Sequence, residues 1–290
     1  MKNKSIYIRI IKALLIAITT IVAVYLAISF SFGGFGNKPA NQLFPDPADS
    51  LLFFAHRGVV GDFPENSLES IGEAKRLGFR AVEFDLRKSA DDDFILFHDT
   101  DAERMLGNGQ NISEISNAEL EDLPLMQNGR PGNFFVPSLG KVLDQYGSDF
   151  IFYFDMKRSG FKEAGQIVEI IRNYEIGDRV IVASADALFL FYIEMKYPEI
   201  ITALEGFNAG KEWTYPLIPK NLRPDYLSGF FNRIDRNHLE WLRNDGLINR
   251  RIVYGIDSSN FISARTMGIR HMIIDYDSGS PAFNELKIRH

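Results

Sequence analysis

Short apolar runs alternate with longer amphipathic stretches from residue 51 onwards, and this alternation constrains the fold more than any other feature. Runs of four to eight apolar residues predict buried strands, and amphipathic stretches of ten or more predict helices packed on them. Strands that feed helices in series predict a parallel sheet, and at 290 residues a closed barrel is favoured over the alternative of an open doubly wound sheet. The predicted strands are Leu51–His56, Ala81–Leu86, Phe94–His98, Phe150–Lys157, Val180–Ala183, Ile200–Leu204, Asp225–Leu227, Ile252–Ile256 and Met272–Asp275.

The predicted fold is an α/β (β/α)8 TIM barrel with a small insertion after the third strand. Because nine strands are predicted for eight places, at least one must lie outside the barrel. The insertion covers about residues 100–135, which are polar and rich in glycine. In the first predicted helix, Leu68 and Ile71 share a face, and Asn66 and Glu69 have the spacing of a capping box. Further helices are predicted at Leu139–Tyr146, Lys162–Tyr174, Ala187–Tyr197 and His238–Asn244.

A run of twenty uncharged residues precedes this body, from Ala13 to Phe32. As a helix it would span roughly the 30 Å hydrocarbon layer of a bilayer. The preceding segment 1–12 has four cations and no acid, which favours a cytoplasmic N-terminus. We therefore predict a basic N-terminus (1–12), a transmembrane signal-anchor (13–32), a linker (33–48) and the barrel domain (49–290). The protein would be a single-pass membrane protein whose barrel is periplasmic or extracellular. A cleaved signal peptide is the alternative, although bulky residues precede the expected cut.

Cysteine content and charge exclude several classes of function. The chain has no cysteine, so disulfides, thiolate zinc sites and cysteine nucleophiles are excluded. The net charge is −6, and because segment 1–12 contributes +4, the remaining residues have a net charge of −10. An acidic body argues against a nucleic-acid partner, since phosphate backbones are bound through clustered Lys and Arg.

The first two predicted strands bring reactive side chains to one end of the barrel. The first strand ends at His56 and is followed by Arg57 and a glycine, and strand ends are where barrel enzymes have their catalytic groups. Alternate residues of a strand share a face, so Glu83 and Asp85 point the same way, about 7 Å apart. Buried like charges are costly unless they share a cation or a proton. The pair predicts a divalent-cation site, with salt-bridged or solvent-facing acids on an edge strand as the alternative.

The next two strands add to this set. The third strand ends at His98, and on the fourth Asp155 and Lys157 share a face. A simple neighbour pair of Asp155 and Lys157, worth little energetically, is the alternative here. Together the strand-end residues suit phosphoryl chemistry: cations for phosphate oxygens, acids for a metal and two imidazoles for proton transfer. The histidines without strand-end acidic partners, expected to be structural or exposed, are His238, His271 and His290.

These motifs resemble the glycerophosphodiester phosphodiesterase family. That family has H-R-G followed by E-N-[TS], which is similar to His56-Arg57-Gly58 and Glu65-Asn66-Ser67. Its E-x-D and H-D motifs are similar to Glu83-Phe84-Asp85 and His98-Asp99. The remaining matches, in the insertion, before a helix and towards the end of the chain, are Arg104 with Gly107 and Gly109, Pro137-Ser138-Leu139, and Gly268 through Ile273 with Asp275. The resemblance extends from about Leu51 to Asp277.

The resemblance implies a (β/α)8 barrel that hydrolyses glycerophosphodiesters to glycerol 3-phosphate and an alcohol, through a cyclic phosphate. It also implies one divalent cation, Ca²⁺ or Mg²⁺, and a small-molecule phosphodiester substrate from lipid metabolism. The implied site residues are His56 and His98 as acid and base, Arg57 and Lys157 for phosphate, Glu83, Asp85 and Asp155 for the metal, and Glu65 and Tyr254 as auxiliary residues.

The sequence departs from the family pattern in its second half. The usual fourth-strand E-x-K is Asp155-Met156-Lys157 here, so one metal arm is a methylene shorter. A late W-T-x-N element is replaced by Tyr254-Gly255-Ile256-Asp257, which changes an aromatic wall of the expected site. Two alternatives therefore stay open: phospholipase C- or D-like hydrolysis of a membrane phospholipid or lysophospholipid, and a catalytically silent barrel that binds a phosphodiester.

Overall fold

The computed structural model describes residues 2–31, 43, 51–277, 279–280 and 283. In chain order the strands are β1 Leu52–His56, β2 Ala81–Lys88, β3 Phe94–Leu96, β4 Asp101–Ala102, β5 Asn108–Asn111, β6 Met126–Gln127, β7 Arg130–Pro131, β8 Ile151–Met156, β9 Val180–Ser184, β10 Ile201–Leu204, β11 Tyr226–Phe230, β12 Arg251–Ile256 and β13 His271–Ile274. The α-helices are α1 Lys2–Ser31, α2 Leu68–Arg76, α3 Glu103–Leu106, α4 Asn117–Asp122, α5 Leu139–Tyr146, α6 Phe161–Asn173, α7 Ala187–Lys196, α8 Arg236–Asn244 and α9 Phe261–Thr266. Short 3₁₀ helices span Ile112–Glu114, Glu212–Leu217, Lys220–Leu222, Phe231–Arg233 and Ile248–Arg250.

Eight parallel strands close into a barrel. Strand β1 pairs with β2 on one side and with β13 on the other. The ring continues from β13 through β12, β11, β10, β9 and β8 back to β2. Each of these neighbours is parallel, so the helices between them cover the outside. The predicted (β/α)8 fold is confirmed, and each predicted strand ends within three residues, and each predicted barrel helix within two residues, of its predicted position.

Nine strands were predicted for eight places, and β3, the third of them in chain order, is the one that lies outside the barrel. It pairs antiparallel with the end of β2, where Leu96 lies opposite Leu86. Strand β8 takes the next place in the ring, because its register with β2 is parallel over six residues. The expectation that His98 ends a barrel strand is therefore wrong: the short β2–β3 hairpin turns the chain back over the carboxyl end of β2.

Side chains alternate between the barrel interior and the helix layer, as the period of two requires. On the outer face, Phe84 packs against Phe152 and Phe154, with ring centroids 5.9 and 5.1 Å apart. The inner face is apolar through the middle of the barrel, so the polar residues of β2 and β8 lie at its carboxyl end. The buried residues of this inner cluster are Leu52, Phe54, Ala81, Tyr153, Ile181, Ala183, Ile201, Ala203, Tyr226, Ile252 and Ile273.

The first barrel helix, α2, begins with a cap that the sequence prediction placed one residue too early. Ser67 is the N-cap: its Oγ accepts from Ser70 N at 3.0 Å, and the Ser70 hydroxyl accepts in return from Ser67 N. Asn66 has a left-handed backbone, with φ of 57°, whereas an N-cap residue is extended. The prediction of Asn66 and Glu69 as a capping box is wrong, and the Asn66 side chain is available for another contact.

The insertion predicted over residues 100–135 contains two short hairpins and helices α3 and α4. It has an apolar core of its own, which explains how a polar, glycine-rich segment keeps a defined shape. The buried residues of that core are Ile95, Phe97, Ala102, Met105, Leu106, Ile112, Ile115, Leu120, Leu125 and Val136.

The chain divides into two compact units. One comprises Met1–Ala40 with Glu212–Arg223, and the other Asn41–Lys211 with Pro224–His290. In the first unit, α1 is long and apolar enough to cross a membrane over Ile6–Ser31, with a mean hydropathy of 2.5, a property that signal sequences share. The helix begins eleven residues before the predicted segment because Lys and Arg are good helix formers. The linker predicted over 33–48 lies outside the described residues, apart from position 43, as does His290.

Candidate functional site

Three buried carboxylates meet at the carboxyl end of the barrel. Glu83 and Asp85 point inward from β2, and Asp155 lies directly opposite Asp85 on β8. Each offers an oxygen, and these oxygens lie within 4.8 Å of one another. All three residues are less than a tenth exposed. An all-oxygen donor set at this spacing fits a single hard divalent cation.

The three carboxylates are electrostatically unequal. Burial, with the charge of Asp85 added, raises the pKa of Glu83 to about 8. Burial, with the charge of Glu205 added, also raises the pKa of Asp155 well above its usual value. Burial opposes ionisation of Asp85 too, but Lys157, Arg57 and the amide of Asn66 hold its pKa below the usual range. Neighbouring cations and hydrogen bonds therefore decide which of the three stays ionised.

Two cations neutralise part of this charge. The Arg57 Nε atom lies 3.1 Å from Asp85 Oδ2. The backbone N–H of Arg57 donates to Glu83 Oε2 at 2.9 Å. The Lys157 ammonium lies 3.1 Å from Asp85 Oδ1 and also forms an ion pair with Asp155. Burial opposes the charge of Lys157, but Asp155 and Asp85 raise its pKa above the usual value. Arg57 and Lys157 are thus held cationic beside the carboxylates, as a phosphate-binding pair would need.

The turn that holds Arg57 depends on Gly58. Gly58 has φ of +81°, and a Cβ there would lie 2.6 Å from the carbonyl carbon of Ser70. The close approach allows Val59 N to donate to Ser70 O at 2.9 Å, which fixes the turn against α2. A glycine is therefore required where β1 delivers His56 and Arg57 to the site.

His56, the last residue of β1, is paired with Asp275, which follows β13. The His56 Nδ1 atom lies 2.6 Å from Asp275 Oδ1, and its Nε2 lies 3.9 Å from Glu83 Oε2. A nitrogen that faces a carboxylate is the donor, so Nε2 is left to exchange protons. Burial acts to lower the pKa of His56, but the charges of Glu83 and Asp275 raise it overall.

His98 has the same arrangement with a neighbour in sequence. Its Nδ1 lies 2.7 Å from Asp99 Oδ1, and Asp99 Oδ2 accepts from Arg104 Nε at 2.6 Å. Arg104 also donates two hydrogen bonds to Glu65, at 2.7 and 2.9 Å, and Glu65 accepts from Arg57 at 2.8 Å. A continuous network therefore joins the two halves of the site, and Glu65 is the carboxylate at its centre.

Tyr254, the predicted auxiliary residue, lies near the end of β12. Its ring contacts Phe230, with centroids 4.4 Å apart. Burial, with the charge of Glu205 added, raises the pKa of Tyr254 to about 12, so the side chain stays neutral. It can form an aromatic wall and donate a hydrogen bond, but it cannot serve as a base near neutral pH.

Three residues of the site were given no role in it by the sequence prediction. Asn66 forms two hydrogen bonds with Asp85. Its side-chain NH2 donates to Asp85 Oδ2 at 2.9 Å, and its side-chain oxygen accepts from Asp85 N at 3.1 Å. Glu205 and Asp275 each follow the last residue of a barrel strand on the inward-facing alternation. That alternation was a usable signal, since Ile201, four positions before Glu205, and Ile273, two positions before Asp275, belong to the inner cluster.

The histidines expected to be structural are buried away from this site. His238 is fully buried in α8, and its backbone N–H donates to the helix cap Asp235 at 2.8 Å. His271 is the first residue of β13, at the amino end of the barrel, and its Nε2 donates to Asn249 O at 3.1 Å. Neither lies among the strand-end acids.

A closed parallel barrel with buried acids, two carboxylate-paired histidines and two cations at its carboxyl end defines a (β/α)8 barrel protein with a candidate active site. The Glycerophosphoryl diester phosphodiesterase family model matches residues 56–204, just over half of the chain. The chain belongs to this family.

Individual relatives agree with this assignment. Glycerophosphodiester phosphodiesterase 1 of Bos taurus is 26% identical over 181 residues, which cover 60% of this chain and 54% of the relative. Glycerophosphodiester phosphodiesterase of Bacillus altitudinis is 28% identical over 156 residues, which cover 51% and 64%. The chain thus spans between half and two thirds of these relatives' length.

A solved structure shares the fold. An Oleispira antarctica phosphodiesterase in complex with the product sn-glycerol-3-phosphate superimposes with a TM-score of 0.70 and 22% identity. The match covers 83% of this chain and 97% of that one. It establishes the barrel architecture across nearly all of the described body.

Proposed function

We propose that this protein is a metal-dependent phosphodiesterase that hydrolyses glycerophosphodiesters to glycerol 3-phosphate and an alcohol. The observation that carries the proposal is the meeting of three buried carboxylates with two carboxylate-paired histidines at the carboxyl end of the barrel. Family membership supports it, as do the glycerophosphodiester phosphodiesterase activity for which the bovine relative is named and the product bound to the Oleispira antarctica enzyme. The substrate would be a small-molecule phosphodiester derived from lipid metabolism.

Glu83, Asp85 and Asp155 would hold one divalent cation, Ca²⁺ or Mg²⁺. The donors fit, because all are oxygens, all are buried, and one oxygen of each lies within 4.8 Å of the others. When bound, the cation would act as a Lewis acid that neutralises charge on the phosphoryl oxygens. It would also offset the mutual repulsion of the three acids.

His56 and His98 would move the protons. In each ring Nδ1 donates to a carboxylate, which leaves Nε2 as the reactive atom and fixes the ring orientation. Arg57 and Lys157 would bind the phosphate oxygens, since both are held cationic beside the acids. Glu65 would orient Arg57, and Tyr254 would line the wall beside the leaving group.

A cyclic phosphate would divide the hydrolysis into two steps. A neighbouring glycerol hydroxyl attacks phosphorus and loses its proton to one histidine, while the other histidine protonates the departing alcohol oxygen. Water then opens the ring with the two histidines in reversed roles, so that each ends in its starting state. The attack is intramolecular and gains a large orientation advantage over attack by free water.

The apolar helix α1 favours a second candidate, a phospholipase C- or D-like reaction on a membrane phospholipid or lysophospholipid. A helix long enough to cross a bilayer would hold the barrel close to such a substrate. The four cations of segment 1–12 support an orientation with the barrel outside the cytoplasm. Activity assays distinguish the two candidate functions: the first predicts hydrolysis of soluble diesters, and the second predicts hydrolysis of lysophospholipids in vesicles.

The deciding experiment measures release of glycerol phosphate from glycerophosphocholine and glycerophosphoethanolamine with Ca²⁺, Mg²⁺ or a chelator. We expect the wild type to release glycerol phosphate only when the metal ion is present. His98→Ala should release none, although its circular dichroism spectrum should match that of the wild type and so show that it is folded. Glu83→Ala should lose both activity and metal binding, whereas the exposed control Glu69→Ala should keep both. Normal turnover by His98→Ala would contradict the acid/base assignment, and absence of release with either ion would direct the search to lipid substrates.

A further inference from the structure

Glu205 extends the inward-facing side of β10 beyond the last strand residue. Ile201 and Ala203 belong to the inner cluster of the barrel, and Glu205 is the next position on the same alternation. Its backbone N–H donates to Ser184 O at 2.9 Å, which continues the parallel ladder with β9 by one more residue. The Glu205 carboxylate is therefore directed to the end of the barrel where Asp155 lies.

A hydrogen bond from within the barrel fixes this carboxylate. Tyr153 is fully buried on β8, and its hydroxyl donates to Glu205 Oε1 at 3.0 Å. Tyr153 precedes Asp155 by two residues, so the two side chains leave β8 on the same face. The bond occupies one of the two carboxylate oxygens of Glu205 and turns the group towards Asp155.

Glu205 adds a negative charge next to the acids of the site, close enough to act on both Asp155 and Lys157. The site gathers Glu83, Asp85, Asp155 and Glu205 against the two cations Arg57 and Lys157. Buried like charges are tolerated when a multivalent cation shares them.

Resting on the proposed metal-dependent function, we infer that Glu205 is a fourth carboxylate donor to the divalent cation held by Glu83, Asp85 and Asp155. Glu205 follows β10, which lies two strands further round the ring than β8, the strand of Asp155. Glu205 is thus a metal-binding residue contributed by the second half of the barrel.

Calorimetric titration of the detergent-solubilised full chain with Ca²⁺ and with Mg²⁺ tests this inference. We expect Glu205→Gln to weaken the Kd for the cation by roughly tenfold to hundredfold. Tyr153→Phe removes the hydroxyl that orients Glu205 but keeps the carboxylate, and should weaken the Kd less than Glu205→Gln does. Glu240→Gln changes an exposed acid of α8 and serves as the control for loss of one negative charge.

Thermal unfolding supplies a readout that is independent of turnover. In chelator, Glu205→Gln should unfold at the wild-type Tm or above it, because one buried repulsive charge is gone. Added Ca²⁺ or Mg²⁺ should raise the Tm of the wild type more than that of the variant. A residue with a purely structural role would instead lower the Tm in chelator and leave the increment due to the cation unchanged.

The outcomes separate this inference from the proposed function. If the wild type binds neither cation, the metal-dependent function fails and the inference fails with it. If the wild type binds a cation and Glu205→Gln binds it equally well, only the role of Glu205 is overturned. Should Glu205→Gln not fold, Glu205→Asp draws the carboxylate back by one methylene, and an unchanged Kd in that variant overturns the inference in the same way.

Discussion

At the scale of single residues, the two histidines obtain their orienting carboxylates in different ways. His98 is paired with the next residue, Asp99, whereas His56 is paired with Asp275, 219 residues further along the chain. The Asp275 side chain is 56% exposed, so water screens part of its effect on His56. The interaction with His56 is therefore open to a direct test by substitution.

Replacement of Asp275 by Asn should impair the histidine without unfolding the barrel. We expect kcat/KM to fall by roughly tenfold or more, a smaller loss than for a fully buried triad carboxylate. Because burial lowers the pKa of His56 and Asp275 helps to raise it, the limb of the pH–rate profile that belongs to His56 should move to lower pH. Asp277→Asn, whose carboxylate accepts from Gly279 N, is the matched control. A D275N profile that superimposes on the wild type would contradict the pairing.

At the scale of elements, the candidate site lies at the carboxyl ends of the barrel strands, whereas residues that matter only for stability lie in the middle and at the amino ends. Their carboxyl ends carry His56 and the acids of the site, their middles are apolar, and most of their amino ends are buried. His271 begins β13 at that amino end, in edge-to-face contact with Tyr226, with ring centroids 5.7 Å apart. Its Nε2 donates to Asn249 O, whereas the buried Nδ1 has no hydrogen-bond partner among the described residues. The ring therefore fits its place only in the neutral form.

This burial predicts acid sensitivity of the barrel. Burial lowers the pKa of His271 to about 4 from an ordinary value of 6.5. Between these values the unfolded chain binds a proton that the folded chain does not, so stability falls as pH drops through the window, by about 2 kcal/mol at pH 5. Urea unfolding at pH 7 and pH 5 should show this loss in the wild type and a smaller one in His271→Gln, which keeps an N–H donor. Equal losses in the two proteins would remove His271 as the cause.

At the scale of the whole molecule, the charge distribution is strongly asymmetric. The first twelve residues carry four cations and no acid, the helix after them is apolar, and the rest of the chain is acidic. Positive charge beside an apolar helix is retained in the cytoplasm, whereas an acidic body carries no such signal. The expected topology is therefore an N-terminus inside and a barrel outside.

Reporter fusions at the C-terminus check that orientation. In a bacterial host, a fused alkaline phosphatase should be active and a fused green fluorescent protein dark, since each reporter works on one side of the membrane. Replacement of Lys2, Lys4, Arg9 and Lys12 by Gln removes the orienting charge and should yield both signals. A fluorescent and phosphatase-inactive wild type would place the barrel in the cytoplasm.

Local patterns in the sequence determined the architecture. The positions of the strands, the inward face of Glu83 and Asp85 and the apolar segment at the N-terminus were all predictable, because each follows from the spacing of neighbouring side chains. The motifs of the first half also pointed to the right family. The periodicity of two that placed Glu83 would have placed Glu205 and Asp275 as well, had it been followed past the ends of β10 and β13.

Closure of the barrel decided which residues distant in the sequence come into contact. The sequence could not show that β3 leaves the ring, since an apolar run of four residues has the same pattern in a hairpin as in a barrel. Nor could it show that Asn66 holds Asp85 instead of capping α2, or that His56 meets Asp275. These contacts join residues that are far apart in the chain, and only the parallel register of eight strands brings their ends to a single point. Spacing along the chain thus determined which residues face inward, and the closed ring determined which of them meet.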